Sequence, residues 1–422
     1  MGNEISTDHG VTQGKNSSAN LFSFFVSDMP SCINVDVNDF TNPYCLLQLA
    51  DDASILADSI VSLKNKIGDI MSYSVEKHLE INILKTKYME MCNDPSLEDI
   101  LFSDGNVVNA VKPSEGHPFL GFHLSYSDNI ADLILKNFNK KQYVIVKFYD
   151  WLEHNASLPF YLKLRVLYSC MFSTLLYSCE VWGDLKEIKD RILLTERKAL
   201  KRCLGVKLGT TDDIIYFEIK RPDIISLIKI RQRKFMNKLI AIEPNMAIVK
   251  AIILRYMHMD NPGNMIHYYF SIPDNVTEEN IREREERIKI SDSTMHKRYR
   301  LISNLSYAQS LYKSNVDDEY RKTITRWRLS SHRLHIETGR YKNPKIPREN
   351  RICSICCVIE DENHAIFNCK AHYFIRIKYT NLLIRYSNVR EILNPSCDAD
   401  IRAVGSFLSE IEKNMIDLKM IV

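Results

Sequence analysis

Two short stretches of the chain gather side chains that could do chemistry. The run LLQLADDASILAD at 46–58 sets Asp51 and Asp52 side by side between apolar stretches. Near the other end, RICSICCVIEDENHAIFNC at 351–369 spaces Cys353, Cys356, His364 and Cys369 as C-x2-C-x7-H-x4-C. Adjacent carboxylates repel, and burying either without a counter-charge costs several kcal/mol, so a positive partner is expected at the first stretch. Magnesium suits it, because Mg2+ takes hard oxygen ligands, keeps several waters and binds through one or two carboxylates plus substrate phosphates. Should 45–50 and 54–57 pair as a hairpin, Asp51 and Asp52 stand at its tip; the alternative is an ordinary polar turn. The second stretch offers four soft or borderline ligands, enough to close a tetrahedral structural Zn2+ site. Cys357 and His372 are competing ligands, and the alternative is a set of reduced core cysteines with a chance histidine.

These groups need a scaffold. With 422 residues, 45% hydrophobic and 10% aromatic, the chain can bury more than one core, which predicts two or three globular units and excludes a disordered protein. The balance of 56 Lys+Arg against 53 Asp+Glu, net +3, is too mild to prove a nucleic-acid partner unless the charge is segregated. From Arg321 to Arg351 it is: Arg321, Lys322, Arg326, Arg328, Arg333, Arg340, Lys342, Lys345, Arg348 and Arg351 face only Glu337 and Glu349, with Trp327 and Tyr341 interleaved. Eleven cysteines, an odd number, without a signal peptide predict a reducing compartment, cytoplasmic or nuclear. The most apolar stretch, at 166–183, runs about 14 residues before Glu180, short of the roughly 20 a spanning helix needs, so a buried helix and no membrane are expected. MGNEIS fits a myristoylation pattern, but the residues that follow resemble the middle of an enzyme body, and no lipid is expected.

Periodicity places the elements. Short β-like runs at 45–50, 54–57 and 119–124 surround a helical stripe of Ile60, Leu63, Ile67, Ile70 and Met71, which predicts a sheet with a packed helix. Gly105, Pro113, Gly116 and Pro118 predict a loop before FLGF. Beyond residue 128 the pattern is helical: one helix through DNIADLILKNFNKKQYVIVKFYDWLEH, a second capped by Ser157 with Pro159 in its first turn, and a third closed by Gly205 or Gly209. Two more helices are expected over 223–256, broken at Pro244. The charged run TEENIREREERIKI at 277–290 reads as a solvated helix face or linker, and the tail after His372 as an amphipathic helix.

The order of short blocks supplies a family resemblance. HGVTQGKNSSANLFSFFVSDMP at 9–30, the Ala50-Asp51-Asp52 hairpin, LEINILKTKYMEM at 79–91 and FLGFHLS at 119–125 resemble, in sequence order, the palm of a non-LTR (LINE-like) retrotransposon reverse transcriptase. LLYSCEVWG and ERKALKRCLGV look like its helical thumb, with Arg197, Lys198, Lys201 and Arg202 available to a duplex backbone. SSHRLHIETGRYKNPKIPRENR and the cysteine-histidine block look like the end of such reading frames.

The resemblance implies an RNA-directed DNA polymerase, a nucleotidyltransferase acting on an RNA template, a DNA primer and deoxynucleoside triphosphates. Asp51 and Asp52 match its catalytic carboxylates, which hold a pair of Mg2+ ions. Gln13 and Gly14 match the nucleotide and template block, Asn82 and Lys85 the N-x-x-K-T block whose lysine meets the leaving pyrophosphate, and Phe119, Leu120 and Gly121 the primer grip. Arg326, Arg328, Arg333, Arg340 and Lys342, beside the zinc knuckle, are expected to meet phosphates, with Trp327 and Tyr341 as stacking faces. The implied fold is α+β, predominantly α: a partial palm over 1–127, made of a small antiparallel sheet with a packed helix; a helical thumb over 128–262; a charged helical and basic connector over 263–346; and a CCHC zinc knuckle with a C-terminal helix over 347–422.

Two departures matter. Leu49 stands where the family has an aromatic residue. The family also places a further catalytic aspartate on an upstream strand, whereas eight residues precede His9 and Asp8 lies too near Gly10 for a separate strand. The site is therefore expected to be incomplete and this chain alone inactive as a polymerase. The second expectation, from a different class, is a catalytically silent remnant that binds nucleic acid through thumb, basic run and knuckle. A metal-independent helical scaffold would require both motifs to be coincidences.

Overall fold

The structure is a computed structural model that describes residues 17–34, 45–92, 94–102, 104–124, 130–182, 185–241, 272–303 and 309–421. It is mostly helical, with short strands only, and divides into two compact units, Met1–Asn137 and Phe138–Val422.

In the first unit, α1 (Ser18–Phe25) and the single turn α2 (Met29–Cys32) precede an antiparallel hairpin of β1 (Leu46–Leu49) and β2 (Asp52–Ile55). Next comes α3 (Ile60–Glu76), whose first turn is capped by Ser59: its Oγ accepts from the Ser62 N–H at 3.1 Å. The expected stripe faces a core. Ile67 is buried with Tyr88, Ile100 and Val108, and Ile60, Leu63 and Met71 pack at the margin. The next turns bury Ile70 against Ile33 and Cys45, and Tyr73 against Val26 and Met29.

The expected single sheet is three small ones. Besides the β1–β2 hairpin, β5 (Val107–Ala110) lies between β3 (Lys87–Tyr88), parallel to it, and β4 (Ile100–Leu101), antiparallel. β5 occupies part of the predicted loop. Its C-terminal end is held by the residue before β4, where the Asp99 carboxylate accepts from the Ala110 N–H at 2.9 Å and from Asn109 Nδ2 at 3.0 Å. The run at 119–124 is a hairpin, not one strand: β6 (His117–Phe119) turns back into β7 (Phe122–Leu124). Leu120 and Gly121, at φ 47° and 73°, form the turn, the pair of positive φ values that a tight hairpin of this hand requires.

The long predicted helix after residue 128 is two: α4 (Ile130–Lys141) and α5 (Tyr143–His154). Ser157 does not cap the next helix. Its chain enters through Pro159, at φ −55° and ψ 145°, and α6 runs Phe160–Val166. A π-helical turn, Leu167–Phe172, and the short helices α7 (Ser173–Leu175) and α8 (Cys179–Trp182) complete the apolar stretch, with Leu167, Met171, Phe172, Leu175 and Cys179 buried. Among the described residues no helix is long and apolar enough to cross a membrane. α9 (Lys186–Leu204) closes on Gly205 at φ 73°, the first of the two glycines expected to end it. After α10 (Asp212–Glu218) and α11 (Ile224–Ala241), the expected break at Pro244 lies outside the described residues.

Of the two expectations for the charged run, a solvated helix face or a linker, the helix is found, with only Val276, Arg284 and Ile288 buried. The run forms α12 (Val276–Ile290), and its Arg284 is bonded to Asp213 Oδ1 at 2.8 Å and Asp223 Oδ2 at 2.5 Å, its guanidinium 4.2 Å above the Tyr216 ring. The acids that neutralise it lie 71 and 61 residues upstream, beyond any local charge pattern. Then follow α13 (Thr294–Ser303), α14 (Gln309–Lys313), α15 (Asp318–Arg328) and α16 (His335–Thr338), and, after the cysteine-histidine block, α17 (Tyr373–Lys378), α18 (Thr380–Arg385), α19 (Val389–Ile392) and α20 (Asp398–Ile421). The tail after His372, expected as one amphipathic helix, is thus four helices, and only the last has the expected stripe: Ile401, Val404, Phe407, Leu408 and Ile411 are all fully buried at spacings of three and four. It packs along α15, where Gly405 lets the helices close: a Cβ there would lie 2.5 Å from the Tyr320 Cβ.

Candidate metal centre

The cysteine-histidine block folds from local turns inward. An antiparallel bridge joins Ile352 to Ile359, the Cys353 N–H donates to Val358 O at 2.8 Å, and the Cys357 N–H donates to Cys353 O at 2.9 Å. Cys357 takes φ 55° at the turn, which leaves its thiol exposed. Asp361 Oδ1 then accepts from the His364 N–H at 2.9 Å and starts a helical turn, His364–Asn368, which returns the chain so that the Cys369 N–H donates to His364 O at 2.7 Å.

These turns bring the ligand atoms of Cys353, Cys356, His364 and Cys369 within 4.8 Å of one another. The Cys353 and Cys369 sulfurs are 3.8 Å apart. A tetrahedron with metal–sulfur bonds of about 2.3 Å has edges of about 3.8 Å, so the spacing is that of two thiolates sharing one ion. His364 Nε2 is buried without a hydrogen-bond partner, and burial pushes the imidazole pKa down, towards the neutral form a metal needs. The Lys370 N–H donates to Cys356 Sγ at 3.3 Å, an outer contact that suits a thiolate. The Cys3His group could therefore hold a metal such as zinc. Neither competing ligand belongs to it: Cys357 faces outward, and His372 Nδ1 lies 3.0 Å from Asn414 Nδ2 on α20.

The aspartate pair stands where the sequence put it, at the end of the β1–β2 hairpin. Ala50, at φ 53°, and Asp51 form the two-residue turn, and Asp52 pairs with Leu49. Both carboxylates are exposed, and among the described residues neither belongs to a metal-sized group of three or more acids, histidines or cysteines. The N-x-x-K-T block is a tight turn in which Asn82 Oδ1 accepts from the Lys85 N–H at 3.2 Å, leaving the Lys85 side chain exposed as the chain enters β3. Phe119 ends β6, and Leu120 and Gly121 make the following turn. Gln13 and Gly14 lie outside the described residues.

Half of the basic run is neutralised in space, at Arg321, Lys322, Arg326, Arg328 and Arg340. Arg328 is fully buried, with Nε 2.6 Å from Glu218 Oε1 and Nη2 3.1 Å from Glu218 Oε2. Burial pushes the Glu218 carboxyl up, but the Arg328 charge beside it and hydrogen bonds from Tyr299 and Tyr312 prevail and hold it below the ordinary range. Arg326 Nη2 bonds Glu412 Oε2 at 2.9 Å, and Arg340 faces Glu337 at 3.3 Å. Trp327 is fully buried, its Nε1–H donating to Glu412 Oε1 at 3.1 Å, so it offers no face to a base. Of the expected phosphate contacts, Arg333 and Lys342 are exposed, as is Tyr341. On α9, Lys201 is buried against Asp212 at 2.6 Å and Arg197 faces the same acid at 3.3 Å; Lys198 and Arg202 are exposed.

Sequence reasoning missed Tyr373 and Phe374, which follow the last cysteine ligand and are 56% and 82% exposed. From Lys370 to Arg390 the chain holds five lysines and arginines and no acid, but Lys378 and Arg385 are paired in space with Glu410 and Asp400. No protein-family model matches the chain, and no relative is found among curated proteins.

Proposed function

We propose that the chain is a nucleic-acid-binding protein of the LINE-like reverse-transcriptase kind, whose C-terminal region is held by zinc. The observation that carries this reading is the hairpin that lifts Asp51 and Asp52 to its apex, in sequence order with the Asn82 turn and the Leu120–Gly121 hairpin. That order matches the palm blocks of the family.

The residues fit zinc. Cys353, Cys356 and Cys369 would supply three thiolates and His364 one imidazole, a closed set with no open position, so the ion would stabilise the fold and take no part in turnover. They do not complete a magnesium pair. Asp51 and Asp52, two exposed carboxylates, can take one hydrated Mg2+, whereas two-metal transfer needs further ligands, and among the described residues no further acid, histidine or cysteine joins them. On this reading the chain by itself is expected to bind its template without extending a primer.

The test is a primer-extension assay on an RNA template with magnesium, run beside a binding titration of the same RNA–DNA hybrid. No extension with salt-dependent binding is expected. Robust extension would overturn the silent assignment, and absence of binding at low salt would overturn the whole reading.

A further inference from the structure

We infer that metal occupancy of the Cys3His group works a conformational latch: Glu362, carried by the metal-held block, grips Arg298 of α13 and His332 of the basic run, and a second buried carboxylate, Glu337, takes Arg298 when the block lets go. This rests on the zinc reading above and adds what the ion controls. The block has almost no core to order it without the ion. From Arg351 to Asp361 the single buried side chain is a ligand, Cys353, while Ile352, Ile355, Val358 and Ile359 are 37% to 48% exposed. A stretch that buries so little apolar surface cannot offset the entropy of its own ordering, and ligation supplies the difference.

The same stretch leads, two residues before the ligand His364, to a carboxylate set deep among other elements. Glu362 is 5% exposed; its Oε1 accepts from His332 Nε2 at 2.8 Å, and its Oε2 meets the Arg298 guanidinium. The Leu334 N–H donates to His332 Nδ1 at 3.3 Å, which leaves the ring proton on Nε2, facing Glu362. His332 is fully buried, its ring 5.0 Å from that of Trp327. Beside Glu362, the Glu360 carboxylate accepts from the His335 N–H at 2.6 Å, at the start of α16. Two acids of one metal-held block thus hold α13 and the 332–335 segment.

Glu337, on α16, gives the latch its other position. It is fully buried, and neither of its oxygens has a hydrogen-bond partner among the described residues. Its Oε1 lies 3.5 Å from Arg298 Nη1 and 3.3 Å from Arg340 Nη2, and Arg298 Nε is unsatisfied as well. A buried carboxylate without hydrogen bonds costs free energy, and a guanidinium can donate two of them side by side. With Glu362 withdrawn, a turn of Arg298 toward Glu337 satisfies both groups. One buried cation between two discrete acids is a two-state element. The segment it governs carries the exposed Arg333, Tyr341 and Lys342.

The experiment follows amide exchange and zinc content of the full chain when zinc-loaded, stripped with a chelator and reloaded. Stripping should speed exchange at 294–303 and 332–338 at least about tenfold, reversed by zinc, with α3 in the other unit as an unchanged reference. Glu362→Gln keeps the shape of the side chain without its charge; it should still hold about one zinc, yet exchange faster at 294–303 while loaded. Glu337→Gln should change the loaded chain little and speed exchange of the stripped chain further, because Arg298 then lacks its second acid. A chain that binds zinc but exchanges alike at 294–303 with and without it would overturn the latch and leave the zinc reading standing, whereas a chain that binds no zinc would overturn both. Equal exchange of the stripped parent and stripped Glu337→Gln would remove the second position, and with it the latch. Stripping that unfolds the whole of 138–421 at once would make the ion a general staple and also overturn the proposal.

Discussion

Arg328 and Glu218 meet in a two-point contact, Nε to Oε1 at 2.6 Å and Nη2 to Oε2 at 3.1 Å, with both side chains fully buried and 110 residues between them in sequence. Around them Tyr299 and Tyr312 donate to the same carboxylate at 2.5 Å and 2.8 Å. Removing one member of a buried pair strands the other charge in a dry core. Arg328→Met should cost about 3–5 kcal/mol in denaturant unfolding, and Arg328→Lys should fail to rescue it, since an ammonium cannot reproduce the fork. A loss under about 1 kcal/mol would show the pair to be solvated.

Glu196 sets a pH dependence of opposite sign to that of an ordinary ion-paired carboxylate. It is fully buried and accepts from Tyr168 at 2.5 Å, Tyr216 at 2.6 Å and the Ile224 N–H at 2.8 Å. Burial pushes its pKa from the usual 4.5 up to about 7, against the pull of those donors. The folded chain thus keeps a proton that the unfolded chain has lost, so the contribution is complete below pH 4.5 and disappears as pH rises through 7. Relative to the parent, Glu196→Gln should gain about 1–3 kcal/mol of stability between the two ends of that window. A stability difference that stays flat with pH would contradict the assignment.

Metal content tests the Cys3His group directly. Freshly purified chain should carry about one zinc per molecule, and Cys353→Ser with Cys356→Ser should lose it. Because His372, next to the site, is bonded to Asn414 on α20, stripping the metal with a chelator should also loosen that helix, read as faster amide exchange at 401–411. Metal-free protein with unchanged exchange would show that the four side chains are merely neighbours.

Gly405→Ala probes the α15–α20 contact. The added methyl would sit 2.5 Å from the Tyr320 Cβ and 2.8 Å from its Cα, so the helices must separate. A loss of about 1–3 kcal/mol is expected. A gain, as helix propensity alone would give, would mean that the helices are not in contact there.

Much of this was legible in the sequence, and what was not has a common cause. The α3 stripe, the buried face of α20, the Gly205 terminus and the Asp51–Asp52 hairpin are local patterns, set by spacings of two, three and four residues. The four metal ligands fall within 17 residues, and their turns need nothing from elsewhere. β3, β4 and β5, two to four residues each, are too short to show a period, and their strength comes from pairing with one another. The charges misled most. Arg326 and Arg328 look unopposed along the chain, and Arg284 looks matched by its own neighbours, because Glu412, Glu218 and Asp223 are supplied from 86, 110 and 61 residues away.

The most direct test of the account is the affinity of the zinc-loaded chain for a labelled RNA–DNA hybrid and a single-stranded RNA as salt is raised from about 50 to about 200 mM. Binding that weakens at least about tenfold over that range, log–linear in salt, is the predicted result. No detectable binding at the low-salt end, or an affinity indifferent to salt, would contradict it.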